Sequence, residues 1–287
     1  MITLRAGDLE ADWLPDDGMV GASLRWRGGE LLGQRGGLDA YRAKGSAFGI
    51  PLLAPWANRL DGLQYGGVTI DPDAVKLDGN GLPKDGVLAG RTWTVAEQTD
   101  DHAVVTLDAD EAILAVFPFP HAWQVAVTLA PDAMTVATTL TATGDVPVPI
   151  AFGWHPLFQL PGVPRAELDV TLPVTTELTL DDRGIPDGGT RPAEWATGPL
   201  ADRTVDAEYS AFDGDLVLRG GDLELRASFG GDDYPVGHAW APAGEPFVAW
   251  EPMTAPTNAL VTGDGLRHVQ PGESFTATFS VHVRKLT

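Results

Sequence analysis

The 287-residue sequence predicts an all-β fold, a large antiparallel β-sandwich, on three observations. Apolar residues alternate with a period of two along short runs, Gly, Pro and Asp separate those runs, and helical periodicity is scarce. With 34 glycines and 23 prolines the punctuation ends most runs after a few residues, which suits short strands joined by turns.

Taken in order, the runs read as follows. In WQVAVTLAPDAMTVATTLTATG, Val125, Val127 and Leu129 alternate before the turn APDA, and Met134, Val136, Thr138 and Leu140 alternate on the return. That is the pattern of a hairpin. DLVLRGGDLELRASF repeats it around Gly220-Gly221, and ESFTATFSVHV, after the turn signal QPG, is the closing strand. The Pro-rich stretches TGDVPVPIAF and DDRGIPDGGTRPAEW read as connectors, because no change of composition follows either. No internal repeat is visible, so one sandwich domain over residues 1–287 is expected.

Composition narrows the partners. A formal net charge of −21 repels phosphate backbones and anionic lipid, which argues against nucleic-acid or membrane-surface binding. No run approaches the roughly 18 apolar residues of a membrane span. The start MITLRAGDLEADWLP lacks a basic region followed by an apolar core, so no secretory signal is read there. Zero cysteines exclude disulfides and thiolate metal sites, and the expected compartment is the cytoplasm.

Three segments depart from the strand-and-turn style. PLLAPWANRLDG (51–62) ends an apolar run in Arg59, AFGWHPLFQLPG (151–162) sets His155 between Trp154 and Pro156, and VAWEPMTAPTNAL (248–260) places Glu251 directly after an apolar strand. Each alone has an ordinary explanation: a surface ion pair, a hydrogen-bonded core histidine, a solvated strand end. A carboxylate or guanidinium beside apolar strands is nonetheless an expensive placement unless something uses it.

Together these words form a set. PWANRLDG, DGVLAGRTWTV, FPFPHAWQVAVTL, FGWHPLF, EPMTAPTNAL and DGLRHVQPGESFTATFSVHV resemble, in order and over nearly the whole chain, segments of the aldose 1-epimerase (galactose mutarotase) family. The resemblance implies a mutarotase-like supersandwich with a concave sugar cleft. It implies interconversion of the α and β anomers of a free aldose by ring opening and reclosure, without cofactor or metal. It makes Glu251 the base at the C1 hydroxyl and His155 the acid at the ring oxygen, held on opposite sides of the ring. Reference pKa values of about 4.3 for Glu and about 6.5 for His suit these roles. Arg59, with Asn58 beside it, and Asp206 in TVDAEY would bind sugar hydroxyls. Trp154, Trp56 and Phe158 would offer apolar walls to the sugar. The implied partner is a monosaccharide, and the expected assembly is a monomer or weak homodimer.

One position departs from the family. Where the resemblance implies a histidine before the loop glycine, PKDGVLAGRTW carries Asp85, preceded by Lys84. No other histidine fits the loop, since His102 and His121 lie well downstream. A donor is thereby exchanged for an acceptor-only anion. With Asp85, Asp206 and Glu251 gathered, the cleft would be strongly negative and Glu251 partly protonated. If residues 84 and 85 were extended, Lys84 would face the opposite way, toward solvent. An altered sugar preference follows from this reading. So do two alternatives: a specialised epimerase whose substrate donates to Asp85, and a carbohydrate-binding or sensor protein with weak or lost catalysis. A sugar-phosphate substrate is disfavoured, because only Arg59, Arg91 and Lys84 are available as cations.

Overall fold

A computed structural model describes residues 1–44, 47–195, 197–229 and 231–286, with Lys44 described by its backbone alone. The hairpin expected within residues 123–144 is present. Strands His121–Ala130 and Ala133–Ala142 pair antiparallel through Ala130↔Ala133, so Pro131 and Asp132 make the turn. Val125, Val127, Met134, Val136 and Thr138 are all fully buried, and their alternation with outward residues sets the register. The second hairpin pairs Leu216–Gly220 with Leu223–Ser228, and Ser274–Lys285 lies between these two hairpins.

Among the described residues these strands belong to a nine-stranded antiparallel sheet that runs from Gly198–Pro199 at one edge to Thr94–Gln98 at the other. An eight-stranded sheet faces it. Its order is Pro186–Pro192, Val174–Leu180, Val205–Phe212, Val236–Ala241, Val248–Met253, Gly153–Trp154 and Leu52–Leu53, with Leu157–Phe158 also pairing to Val248–Met253. A four-stranded meander, Ile2 to Glu30, closes one side. Helices are short, with Gly37–Lys44 and Glu111–Val116 the longest described.

The core lies between the two large sheets. Trp154 shows how it is locked. Its ring meets Trp13 edge-on at 5.9 Å and Phe279 at 5.9 Å, and its Nε1 donates to Thr138 Oγ1 at 3.0 Å. A buried indole N–H needs such a partner. Trp250 fills a second part of the interior beside Phe212 and Phe229. Gly237, on the neighbouring strand, must be glycine, because a Cβ there would come within 2.6 Å of the Trp250 ring. No described helix is long and apolar enough to cross a membrane.

Candidate functional site

The concave side of the eight-stranded sheet carries a cavity of about 910 Å³, toward the large end for small-molecule sites. Its floor comes from the middle strands and its rim from two loops. Period-two alternation decides which side chains reach it: along Val248–Met253 Glu251 faces the cavity while Trp250 faces the core. Along Val236–Ala241, His238 and Trp240 face it together.

His155 follows strand Gly153–Trp154, held by its N–H donating to Pro51 O at 3.0 Å. Its Nε2 lies 3.1 Å from Glu251 Oε1. The expected acid and base are thus brought together, but side by side rather than on opposite sides of a ring. The two oxygens that exchange protons in a hemiacetal share one carbon, so adjacent groups match them better than facing ones. Both residues are buried. Burial raises the Glu251 carboxyl above its ordinary range, while His155, His238 and Lys84 pull it down and Asp85 adds to the rise.

Behind Glu251 runs a row that the sequence reading missed. Glu208, His238 and Glu251 are cross-strand partners on three adjacent strands. His238 Nε2 is 2.8 Å from Asp206 Oδ1 and its Nδ1 is 4.0 Å from Glu208 Oε2. Burial works against charging this imidazole, yet the hydrogen bond to Asp206 and the nearby carboxylates of Glu208 and Glu251 raise its pKa to about 10. A signal for it existed. The pairs His238↔Glu251 and Trp240↔Ala249 imply a hairpin centred on Gly244-Glu245, so folding VGHAWAPAGEPFVAWEP about its PAGEP middle sets His238 opposite Glu251.

The loops supply the rest. Asn58 sits at φ +57°, and its carbonyl accepts the Asp85 N–H at 2.9 Å. Its Oδ1 accepts from Arg59 Nη1 at 2.9 Å while its Nδ2 stands 3.5 Å from His238 Nδ1. Arg59 is held at its other side by Asp78, Nε to Oδ2 at 2.7 Å. Lys84 pairs with Arg59 through an antiparallel bridge. Asp206 is two-thirds exposed at the rim.

Lys84 and Asp85 both line the cavity, contrary to the expectation that Lys84 points to solvent. Asp85 is left-handed, φ +64°, and is followed by Gly86 at φ +66°, so the segment turns instead of alternating. Gly86 passes so close to the Ala54 carbonyl that a Cβ would lie 2.0 Å from its oxygen. The Asp85 carboxylate faces Lys76 at 3.7 Å, and its Oδ1 is buried with no hydrogen-bond partner among the described residues.

Two expectations are corrected. Trp154, together with Trp56 and Phe158, is buried in the core and does not line the cavity. Trp154 and His155 are consecutive in extended chain, so when one faces the cavity the other faces the interior. The aromatic wall is Trp240, edge-on to His155 at 5.6 Å and covered by the Arg35 guanidinium at 4.9 Å. Nor is the cavity simply anionic. Arg35, Arg42 and Lys76 join Arg59, Lys84 and Arg91 in its lining, although Arg35, Arg42 and Arg91 meet the carboxylates of Glu245, Asp17 and Asp110.

Comparison with known proteins matches this architecture. A family model described as aldose 1-epimerase fits residues 22–282. A galactose mutarotase-like protein from Clostridium acetobutylicum superposes with TM-score 0.86 at 18% identity, over 99% of this chain and 95% of that one. The GalM/aldose epimerase homologue from C. elegans gives 0.81 at 18%, over 100% and 99%. A galactose 1-epimerase from Lactobacillus acidophilus NCFM gives 0.77 at 14%, over 99% and 94%. At these identities the structural likeness speaks for the fold alone. No curated protein matches the sequence.

Proposed function

Because the chain belongs to the aldose 1-epimerase family, we propose that it interconverts the α and β anomers of a free aldose. The observation that carries this reading is the contact between His155 Nε2 and Glu251 Oε1, 3.1 Å apart in the wall of the cavity.

The chemistry asks for one base and one acid within reach of the two oxygens on C1. Sugar entering the cavity replaces the direct His155–Glu251 contact with two hydrogen bonds. Glu251 accepts the C1 hydroxyl proton, and His155 donates its Nε2 proton to the ring oxygen. As the O1–H bond breaks, its electrons form the carbonyl, and the C1–O5 bond breaks onto the newly protonated ring oxygen. Rotation about C1–C2 presents the other carbonyl face. Closure returns the O5 proton to His155 and the Glu251 proton to O1, leaving the protein as it began.

Arg59, pinned by Asp78 and Asn58, directs its free guanidinium edge at sugar hydroxyls. Asp206 accepts from others at the rim, and Trp240 covers the apolar C–H face. The test is anomer exchange of freshly dissolved α-glucose and α-galactose, followed by polarimetry or NMR. Catalysed equilibration that Glu251→Gln abolishes while sugar binding persists is the expected result. Sugar binding by the wild type with no acceleration would overturn it.

A further inference from the structure

The loop brings the carboxylate of Asp85 to a cavity whose wall holds two histidines. The second, His238, comes from strand Val236–Ala241 and lines the cavity beside Glu251. We infer that His238 is a positioning residue for Glu251: a buried imidazolium, set between Asp206 and Glu208, that supplies positive charge from the sheet and so holds the base ionised. This inference rests on the mutarotase reading of the site.

Glu208 carries the argument. Its side chain is fully buried, and its Oε1 accepts the Thr257 N–H at 2.9 Å. Its Oε2 is buried with no hydrogen-bond partner among the described residues, and His238 Nδ1 lies 4.0 Å from it. A buried carboxylate oxygen left without a donor is costly. Asn58 does not reach it: its Oδ1 is taken by Arg59, and its Nδ2 stands 3.5 Å from Nδ1, a contact too long to fix Nδ1 as an acceptor. With Nε2 already turned to Asp206 at 2.8 Å and Nδ1 within ion-pair range of Glu208 at 4.0 Å, only an imidazolium presents an N–H to both carboxylates. A neutral imidazole, with one donor, would strand one of them.

The charge then acts on Glu251. Around this imidazole stand Asp206 and Glu208 from one flanking strand and Glu251 from the other, with Asn58 and Arg59 on the loop above. Lys84 and Asp85 also line the cavity, and His155 is on the far side of Glu251. Asp85 and burial favour the protonated form of Glu251, and His238 is among the three basic groups that oppose them. The loop carboxylate is tolerable for the base because a cation faces it from the neighbouring strand.

The experiment compares wild type, His238→Gln and the double variant His238→Gln/Asp85→His. It follows anomer exchange against pH, together with an NMR titration of the His238 imidazole in resting protein. The expected outcome is a base limb of kcat/KM moved to higher pH by at least one unit in His238→Gln, with the rate at pH 6 down at least tenfold and KM little changed. The double variant should recover most of that loss, since it removes the Asp85 anion that raises Glu251 and puts an imidazole in its place. A folded His238→Gln with an unchanged pH profile, or a loss equal at every pH, overturns the inference. So does an imidazole that titrates at or below about 6.5, a readout that stands even if His238→Gln fails to fold. If the wild type does not accelerate exchange, the mutarotase reading fails and this inference with it. The titration would still separately report whether the buried imidazolium exists.

Discussion

Nε2 of His155 meets Oε1 of Glu251 at 3.1 Å, in a wall where the two side chains are only 11% and 5% exposed. An acid and a base in contact would neutralise each other to no purpose if the site served packing alone. Burial makes the Glu251 charge expensive, and three cations offset that cost only in part, since the carboxyl stays raised above its ordinary range. The pair is held ready for something that enters between its members.

Replacing Glu251 by Gln should therefore remove function without removing stability. Its folded pKa is raised, so protonation favours the fold. The corresponding stability is present below about pH 4.5 and is lost as pH rises through the raised value. At pH 7 the carboxylate is a net cost that Gln does not bear. Anomer exchange should fall by about 10²–10⁴-fold, the usual worth of a general base, with a melting temperature equal to or above wild type. A drop of several degrees in thermal scans would mean that the ion pair with His155 holds the sheet together.

His238 gives stability the opposite kind of pH dependence. Burial lowers its pKa, but Asp206, Glu208 and Glu251 together lift it to about 10, above the unfolded value of about 6.5. The stabilisation is complete below pH 6.5 and disappears as pH rises through about 10. The melting temperature of wild type should exceed that of His238→Gln by several degrees at pH 6. The gap should narrow steadily toward pH 10, as measured by circular dichroism. A gap that does not change with pH would assign the loss to packing.

The sequence made the strands legible because burial on one face leaves a two-residue rhythm, as in Val125, Val127 and Leu129. It made Glu251 and His155 legible through the words around them. His238 escaped because its strand was not paired with its neighbour, and cross-strand opposition is a relation between two segments. Trp154 was assigned to the wrong side for a related reason. A Trp-His pair reads as one aromatic patch until the alternation of extended chain sends one ring into the core and the other to the cavity. The cations of the rim, Arg35 and Arg42, come from a part of the chain with no distinctive word.

Arg59 should act through binding. Its Nε donates to Asp78 Oδ2 at 2.7 Å, and the other oxygen of Asp78 accepts the N–H groups of Asn80 and Leu82. Asp78 so fixes both the guanidinium and the turn beneath it, and despite burial these donors keep its carboxyl below the ordinary range. Asp78→Asn weakens the hold on Arg59 while leaving a side chain that still accepts from the turn. A KM about tenfold higher, roughly 1.4 kcal/mol, with kcat within a few-fold, is expected from steady-state kinetics. That is the signature of lost uniform binding. A fall in kcat at constant KM would instead place Arg59 in the transition state.

Asp85 carries two separable properties, a backbone conformation and a charge. At φ +64° it occupies a region that Asn and Gly visit readily and β-branched residues do not. Asp85→Val should cost about 1–2 kcal/mol, which for a chain of this size lowers the melting temperature by about 2–8 °C, whereas Asp85→Asn should leave it near wild type. The charge speaks through Glu251. Asp85 is among the groups that raise that carboxyl, so Asp85→Asn should let Glu251 ionise at lower pH and move the base limb of kcat/KM toward acid. Conformation and charge thus part company: both variants move the pH profile, and only the valine variant also lowers stability. If Asp85→Asn left the profile where it was, Oδ1, buried and without a partner, would have to be reserved for a donor on the substrate. Substrates lacking a hydroxyl in turn would then separate in KM between the two proteins.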